Sequence, residues 1–123
     1  MAEQKRVLII DDEPDILKVI VFRLKKAGYE IIVSDNGKDG IDCAKKQRPD
    51  LILLDLYLPV IDGYEVCKRI KSDQDLKKIP IIFITASQAA EVKDKMQSSG
   101  ADDYIIKPFE PAELLQKIEK YIK

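Results

Sequence analysis

The 123-residue sequence predicts an α/β domain in which five strand–helix units build a layered fold around a parallel sheet. Two observations predict it. Short apolar runs, rich in β-branched residues and lacking polar alternation, suit strands buried on both faces. Helical patterns lie between those runs, so strand and helix alternate along the chain, which implies right-handed crossovers.

In chain order, residues 7–10 are the first strand. Pro14 suits the first turn of the helix that follows, whose Ile16, Ile20 and Leu24 recur on one face until Gly28 stops it. Residues 30–34 form a weaker run with a polar flank and read as an edge strand. Ile41, Ala44 and Lys45 begin a second helical segment, which ends before Pro49. Residues 51–54 are the third strand, and Val66 and Ile70 mark the next helix. Residues 81–84 are the fourth strand. Residues 88–98 are weakly amphipathic, with Val92 and Met96 as the strong apolar anchors, and Gly100 ends them. Residues 104–106 are the fifth strand. A final helix, opened by Pro111, carries the stripe Leu114, Leu115, Ile118, Tyr121 and Ile122. No linker or repeat interrupts the order, so residues 1–123 read as one domain, with no second domain expected.

Composition agrees with a packed domain and excludes several function classes. Hydrophobic residues make up 46%, enough for a continuous core. The net charge is −1, from 21 basic and 22 acidic residues, which argues against direct nucleic-acid binding. The clusters Lys68, Arg69, Lys71 and Lys77, Lys78 read as solvated faces. Cys43 and Cys67 lack a CxxC spacing, so each reads as a small, partly buried helix residue rather than a disulfide or zinc ligand. Histidine is absent, which removes the usual general base and any Ser-His or Cys-His pair. Residues 1–6 are polar and do not form a secretory signal. No stretch approaches the roughly 20 apolar residues of a membrane span. A soluble, cytoplasmic protein with no membrane partner is expected.

Sites in open parallel sheets form beyond the carboxyl ends of the strands. Asp11 and Asp12 follow the first run, Asp55 the third, Thr85 the fourth, and Lys107 and Pro108 the fifth. Carboxylates converging on one edge repel each other, and at least one should have its pKa raised. A hard cation such as Mg²⁺ relieves that repulsion. Lys107 adds a fixed positive charge. Phosphoryl transfer needs this combination: positioning, neutralisation of the equatorial oxygens, and an Asp carboxylate able to form an aspartyl phosphate.

Four stretches match a known family in order: Val7-Leu8-Ile9-Ile10-Asp11-Asp12-Glu13, the run from Asp55-Leu56-Tyr57-Leu58-Pro59 through Val60-Ile61-Asp62-Gly63, Thr85-Ala86-Ser87, and Lys107-Pro108-Phe109. Over nearly its whole length the sequence resembles bacterial two-component response-regulator receiver domains, in the single-domain, chemotaxis-regulator-like form. The resemblance implies a flavodoxin-like (βα)5 three-layer sandwich with strand order 2-1-3-4-5; that order comes with the family and not from the periodicity. It implies Asp55 as phosphoacceptor, and Asp12, Asp55 and the main-chain carbonyl of Tyr57 as Mg²⁺ ligands, with Asp11 holding the ion through water. Lys107 is implied as the phosphoryl-oxygen partner, with a Lys107–Pro108 bond that is often cis in relatives. Thr85 and Tyr104 are implied as the switch pair, with small Ala86 leaving the acceptor accessible. Residues 88–98, Tyr104 and the last helix form the expected changing face. The bulky Tyr57 and small Ser87 are less typical, and Tyr57 is expected to shield the acyl phosphate.

The implied partners are a histidine kinase or histidine phosphotransfer protein upstream and an unspecified protein target downstream. The implied activity is its own phosphoryl transfer and slow dephosphorylation, not turnover of an external substrate.

Each motif also has a plain structural reading. Asp11 and Asp12 suit a helix cap, and the segment after Asp55 suits a turn. Thr85 suits a strand-end hydroxyl, Lys107 a solvated charge, and Tyr104 an ordinary aromatic. Joint placement at one sheet edge favours the site for Asp55, Asp12, Lys107, Thr85 and Asp11. Phe109, Glu13 and Asp62 stay nearer the structural readings.

Three rivals have distinct signatures. A haloacid-dehalogenase-type phosphohydrolase would place its nucleophile in an Asp-x-Asp motif after the first strand. An FMN carrier needs a glycine- or hydroxyl-rich loop where Asp11-Asp12-Glu13 stands. A pseudo-receiver is an interaction module that never carries phosphate, and the intact Asp55, Asp11, Asp12 and Lys107 argue against it.

Overall fold

The computed structural model describes residues 4–122. Met1, Ala2 and Glu3 of the polar N-terminal stretch, and Lys123, lie outside the described residues. Five strands form one parallel sheet in the order β2-β1-β3-β4-β5. They are β1 (Arg6–Ile10), β2 (Glu30–Ser34), β3 (Leu51–Asp55), β4 (Ile81–Thr85) and β5 (Asp103–Ile106). The helices are α1 (Pro14–Lys26), α2 (Gly37–Gln47), α3 (Gly63–Lys71), α4 (Ala89–Ser99) and α5 (Pro111–Tyr121).

The unbroken apolar runs are explained by two separate cores. Leu8, Ile10, Ile52, Leu54, Ile81 and Phe83 face α2, α3 and α4. Their strand neighbours Val7, Ile9, Leu51, Leu53, Ile82 and Ile84 face α1 and α5. Successive side chains point to opposite faces, so a strand covered on both sides must be apolar at every position. β3 and β4 are buried throughout, whereas the edge strands β2 and β5 are only partly covered. The weak run predicted for β2 thus reflects its edge position.

Two helix starts, those of α2 and α3, depend on side-chain caps that the apolar spacing does not reveal. α2 begins at Gly37, four residues before Ile41, because the Asn36 side chain caps it by accepting the Asp39 N–H at 2.8 Å. Asp62 likewise caps α3, accepting the Glu65 N–H at 2.9 Å. Gly100 ends α4 with φ +88°. α4 is the least anchored helix: it buries one apolar residue, Val92, beside Ser99, where α1 and α5 each bury two. Cys67 is fully buried, not partly buried as the sequence suggested, while Cys43 is intermediate. Lys71 is also no solvated charge: its Nζ donates to Lys77 O, Ile79 O and Asp102 Oδ2, at 3.2, 2.8 and 2.9 Å.

The loop joining β3 to α3 is the most constrained connection. Gly63 N–H donates to Leu56 O at 2.8 Å, pulling the start of α3 onto the end of β3. A Cβ at Gly63 would lie 1.9 Å from Asp55 O, so only glycine permits this approach. Within the loop, Val60 has φ +68° and is fully exposed. Ile61 N–H donates to Pro59 O at 2.8 Å, closing a three-residue turn on Val60. A β-branched residue is strained there.

Two stability predictions follow from this loop. Gly63→Ala is expected to lower the unfolding free energy by about 1–3 kcal/mol through overpacking; a parental urea midpoint would contradict the close approach. Val60→Asn is expected to raise it by about 1 kcal/mol, because asparagine tolerates positive φ better than a β-branched residue. A urea midpoint that fails to rise would show that Val60 is not strained.

Candidate functional site

The carboxyl ends of β1, β3, β4 and β5 bring together five of the residues singled out from the sequence. Asp11 follows β1, and its N–H donates to Ser34 O at 3.1 Å. Its side chain is 0% exposed. Oδ1 accepts the Glu13 N–H at 2.8 Å, and Oδ2 accepts from Lys107 Nζ at 3.1 Å. Asp55 closes β3 at 4% exposure. Its Oδ1 accepts the Tyr57 N–H at 3.1 Å, and its Oδ2 lies 3.5 Å from Lys107 Nζ. Asp12 is exposed. Lys107 is placed by its own N–H, which donates to Thr85 O at 2.7 Å. The Lys107–Pro108 peptide is cis.

The helix-cap reading of Asp11 and Asp12 does not hold. Glu13 occupies the cap position of α1, with no side-chain cap bond. Glu13 also does more than its structural reading implied, since its Oε1 accepts from Lys107 Nζ at 2.6 Å.

Electrostatics at the site are set by burial. Burial raises the Asp55 carboxyl above its ordinary pKa, and Asp11 and Glu13 push the same way. The Tyr57 amide and the Lys107 charge offset this only in part. For Lys107, burial alone would lower the pKa, but Glu13, Asp55 and Asp11 outweigh it and hold the ammonium above its ordinary value.

The donor set fits a hard divalent cation. Carboxylate oxygens of Asp11, Asp12 and Asp55 all lie within 4.8 Å of one another. The set is all oxygen, and its exposed member, Asp12, leaves an open side for the water that Mg²⁺ retains.

Thr85, Tyr57 and Tyr104 stand at different distances from this centre. Thr85 is fully buried at the end of β4, and its hydroxyl lies 3.3 Å from Ser87 Oγ. Tyr57 is 56% exposed. Its hydroxyl reaches Ser87 Oγ at 2.6 Å and Glu91 Oε1 at 2.9 Å. Its ring therefore bridges from the β3–α3 loop to the loop after β4. Tyr104 is set apart: it pairs with Phe83 inside the sheet, packs against the α2–α4 core, and carries Lys117 Nζ 5.4 Å from its ring centroid. Lys117 is in turn held by Asp103 at 2.9 Å. Ser87 and Glu91 gain contacts that no motif assigned to them. Glu91 lies 34 residues from Tyr57, beyond any local pattern.

Comparison with known proteins bears on this geometry. The family model described as "Response regulator receiver domain" matches residues 7–119. The chain is 40% identical over 120 residues to the "DNA-binding dual master transcriptional regulator RpaA" of Synechocystis sp., covering 96% of this chain and 49% of that protein. The chain spans about half the length of the curated relatives it matches. Among solved structures, chemotaxis protein CheY4 of Vibrio cholerae aligns with a TM-score of 0.92 at 30% identity, covering 98% of this chain and 100% of that one. The receiver domain of sensor histidine kinase PA1611 of Pseudomonas aeruginosa aligns with a TM-score of 0.90 at 32% identity, covering 98% of both chains. That structure holds a magnesium ion in its active-site cleft. The match falls on the family the sequence resembles, rather than on the phosphohydrolase or flavin-carrier alternatives. With the family model covering nearly the whole chain and the strand order agreeing, the chain belongs to the response-regulator receiver domains.

Proposed function

We propose that this receiver domain is a phosphorylation-activated switch in which Asp55 accepts a phosphoryl group from a histidine kinase or histidine phosphotransfer protein. One observation carries the reading: a nearly buried carboxylate stands beside two further carboxylates and within 3.5 Å of a lysine ammonium. In the transfer, an Asp55 Oδ attacks phosphorus, the phosphorus–nitrogen bond of the donor phosphohistidine breaks, and its electron pair returns to the imidazole. Asp11, Asp12, Asp55 and the main-chain carbonyl of Tyr57 would hold Mg²⁺. When bound, Mg²⁺ neutralises charge shared by the carboxylates and the phosphoryl oxygens.

The chain's own residues do the rest. Lys107 moves its charge from Glu13 and Asp11 toward a phosphoryl oxygen. Thr85 donates its hydroxyl to another. Tyr57 shields the acyl phosphate. Tyr104 responds by repacking against β4 and α4, the weakly anchored helix. Histidine is absent, so no imidazole activates water for rapid turnover, which suits a held signal rather than a turnover enzyme.

Output of this domain passes through altered protein contacts or onward relay of the phosphoryl group, since a net charge of −1 gives the domain no basic footprint for nucleic acid. No described helix is long and apolar enough to cross a membrane, and a cytoplasmic location suits a kinase-fed receiver.

Intact-mass spectrometry after incubation with acetyl phosphate and Mg²⁺ tests the reading. The parent is expected to gain one phosphoryl group, EDTA to abolish the gain, and Asp55→Asn to show none. An unmodified parent would instead point to a pseudo-receiver that works by contacts alone.

A further inference from the structure

Four side chains form a hydrogen-bonded chain running away from the acceptor. Thr85 Oγ1 lies 3.3 Å from Ser87 Oγ, Ser87 Oγ lies 2.6 Å from the Tyr57 hydroxyl, and that hydroxyl lies 2.9 Å from Glu91 Oε1. Proton counting fixes its direction. An ionised carboxylate can only accept, and each hydroxyl has one proton to give. Glu91 must therefore receive the proton of Tyr57. Tyr57, having spent its proton, must accept from Ser87. Ser87, having spent its own, can only accept, and Thr85 Oγ1 is the hydroxyl within reach, at 3.3 Å. The one hydroxyl proton of Thr85 is thus committed to Ser87. The Ser87 N–H, 3.3 Å from Thr85 Oγ1, reinforces this by donating to that oxygen.

We propose that Glu91 is a positioning residue that turns the Thr85 hydroxyl away from the phosphoryl site in the unphosphorylated protein. The inference rests on the reading of Thr85 as a donor to the phosphoryl group. Glu91 lies in the first turn of α4, so the same chain ties that helix to the acceptor loop through Tyr57. The Thr85–Ser87 link is the longest of the three and the farthest from good hydroxyl geometry. It is the link that breaks when Thr85 turns to a phosphoryl oxygen, and its loss frees Ser87 and Tyr57 to rearrange against α4. Without Glu91, water can occupy the end of the chain. Water donates as well as accepts, so it imposes no direction, and Thr85 can turn inward at lower cost.

Isothermal titration calorimetry of beryllofluoride binding to the full chain in saturating Mg²⁺ tests this. Glu91→Ala is expected to tighten binding about fivefold, the worth of one hydrogen bond. Glu91→Gln is expected to move the same way, because an amide keeps the reach of glutamate but can donate as well as accept. In a Tyr57→Phe background, Glu91→Ala is expected to change nothing further. Unchanged or weaker binding by Glu91→Ala overturns the inference, as does a Glu91→Gln variant that behaves as the parent, or an undiminished effect of Glu91→Ala in the Tyr57→Phe background. A parent that binds no beryllofluoride at all would instead overturn the phosphoacceptor reading beneath it.

Discussion

A single ammonium holds the carboxyl edge of this sheet together. Lys107 Nζ lies within ion-pair distance of Asp11, Glu13 and Asp55, and two of those carboxylates are almost fully buried. Removing one partner of a buried pair costs roughly 3–5 kcal/mol, so the lysine and the two aspartates constrain one another. The strand order makes the contact possible. β4 separates β5 from β3, which sets Lys107 two strand spacings, about 10 Å, from the line of Asp55. Only a long, flexible side chain crosses that gap, and lysine presents its charge as a compact point at the end of such a stem. The same cluster gathers more carboxylates than one ammonium neutralises, a donor set that fits a hard divalent cation.

The rest of the fold packs closely around this edge except on the side of α4. β1, β3 and β4 are buried between two apolar cores and fix the positions of Asp11, Asp55 and Thr85. Gly63 brings α3 against the backbone of Asp55, which removes slack from the β3–α3 loop. β5 and α5 are tied by Asp103, which takes Lys117 and Tyr121. α4 contrasts with all of these. Only one of its buried residues, Val92, is apolar, and its first turn reaches the site through the exposed Tyr57–Glu91 contact. In the proposed switch, a local charge change at Asp55 is read out where packing is weakest.

Much of this was legible in the sequence, for physical reasons that also mark where legibility ends. Buried parallel strands must be apolar at every position, so β1, β3, β4 and the helices between them announce themselves. Strand ends carry the polar residues, so Asp11, Asp12, Asp55, Thr85 and Lys107 could be placed at one edge without coordinates. The start of α2 was misplaced because Asn36 and Asp39, a cap and its partner, leave no mark in apolar spacing. Lys71 looked solvated because its acceptors lie on the following loop and at Asp102. Glu13 looked structural because its partner is 94 residues away. Tyr57 to Glu91 was invisible for the same reason: long-range polar pairing has no local signature. The resemblance to receiver domains supplied the strand order and the roles, which periodicity alone does not contain.

The most direct measurement is a crystal structure of the chain with Mg²⁺ and beryllofluoride. The account predicts beryllium bonded to an Asp55 carboxylate oxygen, Mg²⁺ among Asp11, Asp12 and Asp55, Lys107 Nζ moved from Glu13 to a fluorine, and Thr85 Oγ1 turned from Ser87 to another. A beryllofluoride bound elsewhere, or bound at Asp55 with Lys107 still on Glu13 and Thr85 still on Ser87, would contradict it.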